Sequence, residues 1–177
     1  PLKGIDLLID SFNIVIKKNK DLVLFIVGDG NENYKTNLLN KIYSLGLKES
    51  VYLLGEMNGI YKNTVYDIAD VFVLPSYNEG FGLTVIEAYR QNIPVITTTA
   101  TPFEEIANNG IGWYIEPNCS EVTKALASAT KLDKSELSSM GKKGYNLMKK
   151  KYSLDIVNHK MELLYSWLLN GGIMPDF

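Results

Sequence analysis

Residues 71–97 read VFVLPSYNEGFGLTVIEAYRQNIPVIT. Val71 to Leu74 is a short apolar run that reads as a buried strand, and Pro75 to Gly82 is a loop with special backbone needs. Leu83 to Gln91 follows as an apolar helix and Ile93 to Thr97 as a second buried strand, so the stretch predicts a parallel β-α-β unit. Inside the loop, Glu79 is followed at once by Gly80, Phe81 and Gly82. Glycines beside a helix start let the backbone approach a ligand, because they lack a Cβ and accept positive φ. The free amides of Leu83 and Thr84 would then open the helix, and a helix N-terminus with unpaired donors and partial positive charge suits a phosphate. Glu87 lies one turn further on, where a carboxylate can accept two hydrogen bonds from a vicinal diol. The plainer reading of Glu87 is a surface residue paired with Arg90 three positions on.

Working outward, residues 4 to 18 carry Ile5, Leu8, Ile9, Phe12, Val15 and Ile16 at helical spacing. Asp21 to Val27 reads as a strand that ends in Gly28-Asp29-Gly30. A glycine pair after a strand matches part of a dinucleotide fingerprint, but the third position is Asn33, so the turn serves equally as a simple exit from the strand. A helix from Tyr34 to Leu45 should stop at Gly46, and Val51 to Leu54 is the next strand, with Gly55-Glu56-Met57-Asn58 as its exit loop. A short helix over Ile60 to Ala69 leads into the central stretch. Beyond it come a helical turn at Phe103 to Ala107, a last strand at Trp113 to Ile115, and helices over 119–131, 133–150 and 153–169. The last should be capped by Ser153 and face the core through Ile156, His159 or Lys160, Leu163, Leu164, Trp167 and Leu168. Strands alternating with helices predict an α/β, Rossmann-like, doubly wound parallel sheet with helices on both faces. Ligands of such sheets bind beyond the carboxyl ends of the strands, where the G-D-G, G-E-M-N and E-G-F-G loops should gather.

The pattern Glu79-x7-Glu87, preceded by PSYNEGFGL and followed by PVITT, resembles the signature of the retaining family 4 glycosyltransferases of the GT-B fold. The likeness extends to PLKGIDLLIDSF at 1–12, LFIVGDGNE at 24–32, VYLLGEMN at 51–58, DIADVFVLPS at 67–76, GWYIEP at 112–117 and KKYSLDIV at 150–157, in the family's order. It implies that the chain is the C-terminal, nucleotide-sugar-binding half of such an enzyme, with residues 1–152 as the donor domain and 153–177 as a terminal helix and tail. It further implies a six-stranded sheet whose central strand lies upstream of Pro1, and an acceptor-binding domain ahead of it. By the same resemblance Lys3 contacts the donor diphosphate together with the Leu83 and Thr84 amides, and Glu79, with Gly80, Phe81 and Gly82 around it, binds the transferred sugar. Glu87 holds the ribose, while Gly28, Gly30, Glu56, Met57 and Asn58 border the nucleotide. The implied reaction moves a hexose from a UDP- or GDP-sugar to a saccharide or lipid-linked acceptor, as in polysaccharide biosynthesis, with neither metal nor cofactor. The isolated domain would bind the donor weakly and catalyse little.

Composition sets the bounds. The 177 residues suit one ordinary domain, and Cys119, as the single cysteine, excludes an internal disulfide framework and a multi-cysteine zinc site. The formal charge is −2 and the lysines are dispersed, which speaks against nucleic acid as the main partner. With no signal peptide pattern and no apolar run of the ~20 residues a membrane span needs, the expectation is a cytoplasmic protein with at most peripheral membrane contact at the inner face. His159, the only histidine, reads as a packed or surface residue. Two rival readings use the same residues: a non-catalytic module that binds a nucleotide or docks a partner lobe, and a dinucleotide-binding oxidoreductase domain built on Gly28 and Gly30.

Overall fold

The computed structural model describes residues 2–176 as strands alternating with helices. In chain order these are α1 (Ile5–Ile16), β1 (Leu24–Val27), α2 (Glu32–Ser44), β2 (Val51–Gly55), α3 (Gly59–Ile68), β3 (Phe72–Leu74) and α4 (Leu83–Arg90). There follow β4 (Val95–Thr98), α5 (Glu105–Asn109), β5 (Gly112–Ile115), α6 (Cys119–Ala129), α7 (Lys134–Tyr152) and α8 (Leu154–Asn170). All pairings are parallel, with β1 beside β2 in one sheet and the order β3-β4-β5 in a second. The α/β class and the helix-flanked parallel strands are those the sequence predicts.

The sheet itself is divided. Among the described residues, β1 hydrogen-bonds only to β2 and β3 only to β4. Both nevertheless lie in one layer: Leu24 of β1 and Val73 of β3 pack against the same cluster of Leu7, Leu8 and Val122, contributed by α1 and α6. The helix pair α1 and α6 thus bridges the two sheets. This division corrects the expectation that Val71 to Leu74 is a buried strand. All three residues of β3 are half-buried, because one edge of the strand has no ladder partner, whereas β4, paired on both sides, is buried throughout.

Several boundaries also move, for local reasons. The strand expected from Asp21 begins only at Leu24, after turns at its start. The strand expected from Ile93 begins at Val95, because Asn92 takes a left-handed φ of 59° and Ile93 donates its amide back to Ala88, closing α4 before extension starts. The helical turn near Phe103 lies later, at Glu105–Asn109. Gly46 does end α2 in the left-handed region, with the Leu47 amide bonded to the Ile42 carbonyl.

The main core gathers around α4. Val85, Ala88 and Tyr89 are fully buried against Val95, Phe103, Ile106 and Ile111, with Met148 of α7 beside them. Two glycines let α7 come this close. A Cβ on Gly141 would stand 1.8 Å from the Asn92 carbonyl oxygen, and one on Gly144 would stand 2.1 Å from the Tyr89 ring. The Tyr89 hydroxyl, pinned in place, donates to the Ile111 carbonyl at 3.1 Å.

The terminal helix departs from expectation. Ser153 caps it by accepting the Ile156 amide, but α8 has no buried residue. Ile156, Leu164 and Trp167 are half-buried, and Leu163, Leu168 and His159 are exposed, so the predicted core-facing stripe has no core to face. The reason is geometric: α8 extends from the end of α7 and packs chiefly against that helix. No helix of the described residues is long and apolar enough to cross a membrane.

Candidate functional site

The loop after β3 is built to be held rather than to be free. The Thr97 hydroxyl donates to the Leu74 carbonyl at 3.2 Å and the Thr98 hydroxyl donates to the Ser76 carbonyl at 2.6 Å, so β4 anchors the start of the loop. The N-terminal segment anchors it from the other side, where the Leu2 carbonyl accepts the Tyr77 amide at 2.8 Å. Contact here is so close that residue 4 must be glycine. Its φ is 63°, and a Cβ would stand 2.1 Å from the Pro75 carbonyl oxygen.

This approach brings Lys3 to Glu79. Their Nζ and Oε2 atoms are 2.6 Å apart, with the Glu79 side chain 12% exposed and that of Lys3 58%. Ser76, wholly buried, donates its hydroxyl to the same carboxylate oxygen at 3.3 Å. The pair stands at an open cleft of about 320 Å³ lined by Lys3, Glu79, Phe81, Gly82, Leu83 and Thr84. Gly82, at φ 90°, turns the chain into α4, so the helix N-terminus opens on the cleft. A lysine, a carboxylate and a helix start around one depression can bind a group that is anionic at one end and rich in hydroxyls at the other.

Glu87 has a different setting. It does not pair with Arg90 and does not line this cleft. Two α3 residues one turn apart hold it: Lys62 at 2.6 Å and the Tyr66 hydroxyl at 3.2 Å, both on Oε2. Burial, and then the charge of Glu87, raise the pKa of the Tyr66 phenol far above its usual value, so the hydroxyl is a proton donor at every physiological pH.

A second group of loops follows β1 and β2. The Gly28 amide, at φ 140°, donates to the Gly55 carbonyl at 2.8 Å and joins the two exits. Asp29 accepts the Gly30 amide at 2.8 Å and pairs with Lys35 at 2.5 Å. Bonding to Lys35, and next to the Gly30 amide, lowers the Asp29 pKa and holds a negative charge in the turn. That turn lacks the free, uncharged cradle a dinucleotide pyrophosphate needs. Glu56 and Asn58 are exposed and bonded to each other at 3.3 Å, with Met57 half-buried between them.

Asp6, Tyr34 and Tyr77 lie between the two groups. Burial raises the pKa of both tyrosines, the charge of Asp6 adding to it, and Asp6 Oδ1 and the Tyr34 hydroxyl are buried without a partner in the described protein. Sequence reading missed these three residues, along with Lys62, Tyr66 and Ser76. Only Lys62 and Tyr66 carried a local signal, being four positions apart on one face of a short helix.

The profile of the glycosyl transferases group 1 family matches residues 1–147. The chain belongs to that family. Its fold is the C-terminal half of a GT-B glycosyltransferase, and the C-terminal domain of such a protein (LpcC) from Francisella tularensis superimposes with a TM-score of 0.76. That match has 25% identity and covers 86% of this chain and 81% of the other. In sequence the chain is similar to the O-antigen biosynthesis glycosyltransferase WclY of Escherichia coli, 38% identical over 104 residues, covering 59% of this chain and 27% of the relative. It is also similar to the capsular polysaccharide biosynthesis glycosyltransferase CapM of Staphylococcus aureus, 27% identical over 168 residues, covering 94% and 43%. The chain therefore spans less than half the length of these curated relatives.

Proposed function

We propose that this chain is the donor-binding domain of a retaining family 4 glycosyltransferase, which moves a hexose from a UDP- or GDP-sugar to a saccharide or lipid-linked acceptor held by a separate domain. The names of its relatives, O-antigen and capsular polysaccharide glycosyltransferases, support a place in surface polysaccharide synthesis. The observation that carries the reading is the Lys3–Glu79 pair at the mouth of the cleft below the α4 N-terminus.

Transfer breaks the bond between the anomeric carbon and the diphosphate, forms a bond to an acceptor oxygen, and leaves growing negative charge on the departing group. Charge of that kind is stabilised best by donors already aimed where it develops. Lys3 and the Leu83 and Thr84 amides supply them, and Glu79 orients the sugar through its hydroxyls. Lys3 and Glu79 neutralise each other in the unliganded protein and separate when the donor enters, the ammonium going to phosphate and the carboxylate to hydroxyl groups. Glu87 offers its free Oε1 to the ribose while α3 keeps Oε2. Such a division of tasks differs from a retaining glycosidase, in which two carboxylates flank one bond about 5 Å apart.

Calorimetric titration of the chain and of its Glu79→Ala, Lys3→Ala and Glu87→Ala variants with UDP, GDP, UDP-glucose and GDP-mannose, with and without EDTA, tests this. One nucleotide should bind regardless of chelator. Glu79→Ala should lose the added affinity of the sugar, and Lys3→Ala and Glu87→Ala should weaken nucleotide and sugar nucleotide alike. Binding indifferent to all three substitutions would overturn the assignment.

A further inference from the structure

The loop that carries Glu79 is tied at its start by β4 and Leu2, but its second half, Gly80 to Gly82, takes its support from aromatic rings. Phe81 meets Phe103 with ring centroids 5.3 Å apart and Tyr152 at 5.6 Å, both edge to face, and Phe103 and Tyr152 meet at 5.8 Å. The three rings form a closed set in which each touches the other two. Phe103 is fully buried and also abuts Gly82, where a Cβ would stand 3.3 Å from its ring. Tyr152, at the last position of α7, is fixed in turn by Glu105 of α5, whose Oε1 accepts the phenol hydroxyl at 3.1 Å and the Lys151 ammonium at 3.0 Å. The Glu105 side chain is only 10% exposed and meets both donors through the one oxygen.

We propose that Glu105, Lys151 and Tyr152 are positioning residues for the Glu79–Gly82 loop and act on it through the Phe81 ring. None of the three lines the cleft, while Phe81 does. The carboxylate sets the phenol, the phenol ring sets Phe81, and the Phe81 backbone sets the height of Glu79 and of the first α4 amides above the cleft. Edge-to-face contact restrains a ring in tilt as well as distance, which loose aliphatic packing does not. That the loop faces a sugar nucleotide rests on the function proposed above; that the loop is held in this way does not.

Two measurements separate these points. The first is amide hydrogen exchange across Gly80 to Thr84 by NMR in the wild type and in Tyr152→Leu, Tyr152→Phe and Glu105→Gln. Tyr152→Leu removes two edge contacts and should raise exchange at these amides roughly five- to tenfold, with β4 and β5 unchanged. Tyr152→Phe, which keeps the ring, should restore most of the protection, and Glu105→Gln should lie between. In a Phe81→Leu background, Tyr152→Leu should add nothing. Equal loop exchange in wild type and Tyr152→Leu overturns the proposal, as does an undiminished effect in the Phe81→Leu background. If Tyr152→Leu does not fold, Glu105→Gln decides by the same criterion. The second measurement repeats the titrations with UDP, GDP, UDP-glucose and GDP-mannose. Tyr152→Leu should lower the affinity for the sugar nucleotide more than that for the bare nucleotide, because Glu79 loosens along with the first α4 amides, a difference that general destabilisation does not produce. Loosened exchange in a protein that binds none of the four sustains the positioning and removes the donor reading alone.

Discussion

Replacing Gly4 by alanine separates the conformational from the steric demand at the mouth of the cleft. Gly4 has φ 63°, and a Cβ there would lie 2.1 Å from the Pro75 carbonyl oxygen and 3.0 Å from the carbonyl carbon. A carbon–oxygen contact relaxes only near 3.3 Å, so backbone on one side must move by about 1 Å. The left-handed conformation alone costs an L-residue about 1–2 kcal/mol. Forcing backbone apart in a packed setting adds about 1–3 kcal/mol, for a total of about 2–5 kcal/mol. Gly46 provides the control: its φ is 71°, but a Cβ there would meet nothing within 4 Å, so Gly46→Ala should show the conformational cost alone. Urea unfolding of both variants gives the difference between them. The same displacement parts Leu2 from Tyr77 and Lys3 from Glu79, so calorimetric nucleotide affinity should fall in Gly4→Ala and hold in Gly46→Ala. Equal stability and equal affinity of the two variants would refute the steric reasoning and with it the fixed geometry of the Lys3–Glu79 pair.

Gly144→Ala gains roughly 1 kcal/mol of helix propensity but drives a methyl into the Tyr89 ring, so the net effect by thermal unfolding should be destabilising. Tyr66→Phe removes the hydroxyl from Glu87 and should cost about 0.5–1.5 kcal/mol of stability, with nucleotide affinity falling as the carboxylate loses its orientation. The Tyr152 phenol is pushed up to about 12 from its usual 10.0, first by burial and then by the charge of Glu105. A neutral phenol held above its unfolded pKa favours the fold fully below pH 10 and loses that contribution as pH rises toward about 12. Alkaline unfolding followed by phenolate absorbance should fall in this window, and Tyr152→Phe should remove one late-ionising group.

The periodicities of the chain carry the fold class almost unaided. Alternating apolar runs and helical faces place five strands and eight helices in order within the described residues, and only the ends shift. Those shifts come from details such as the left-handed Asn92, which no apolar pattern signals. The Glu79 loop is legible because glycines and an acid beside a helix start are local in sequence. Its partnership with Lys3 spans 76 positions and was anticipated only as a shared role at the donor, not as a direct ion pair. The partners of Glu87 lie on α3, the preceding helix, and become neighbours only when α3 and α4 pack. The stripe of α8 shows the converse limit. An amphipathic pattern announces that a helix wants a surface, but not that the surface lies in the same stretch of chain.

The interruption between β1 and β3 has a consequence for handling the molecule. Among the described residues each of the two strands has one edge without a ladder partner, and both lie beneath the α1–α6 bridge. An edge of this kind templates whatever extended backbone reaches it first. In a concentrated solution of this chain alone the readiest source is another copy, so light scattering should show association that grows with concentration. A short β-forming peptide supplied in excess would compete for the same edges, acting as a solubiliser and clasping the two halves of the domain into one sheet.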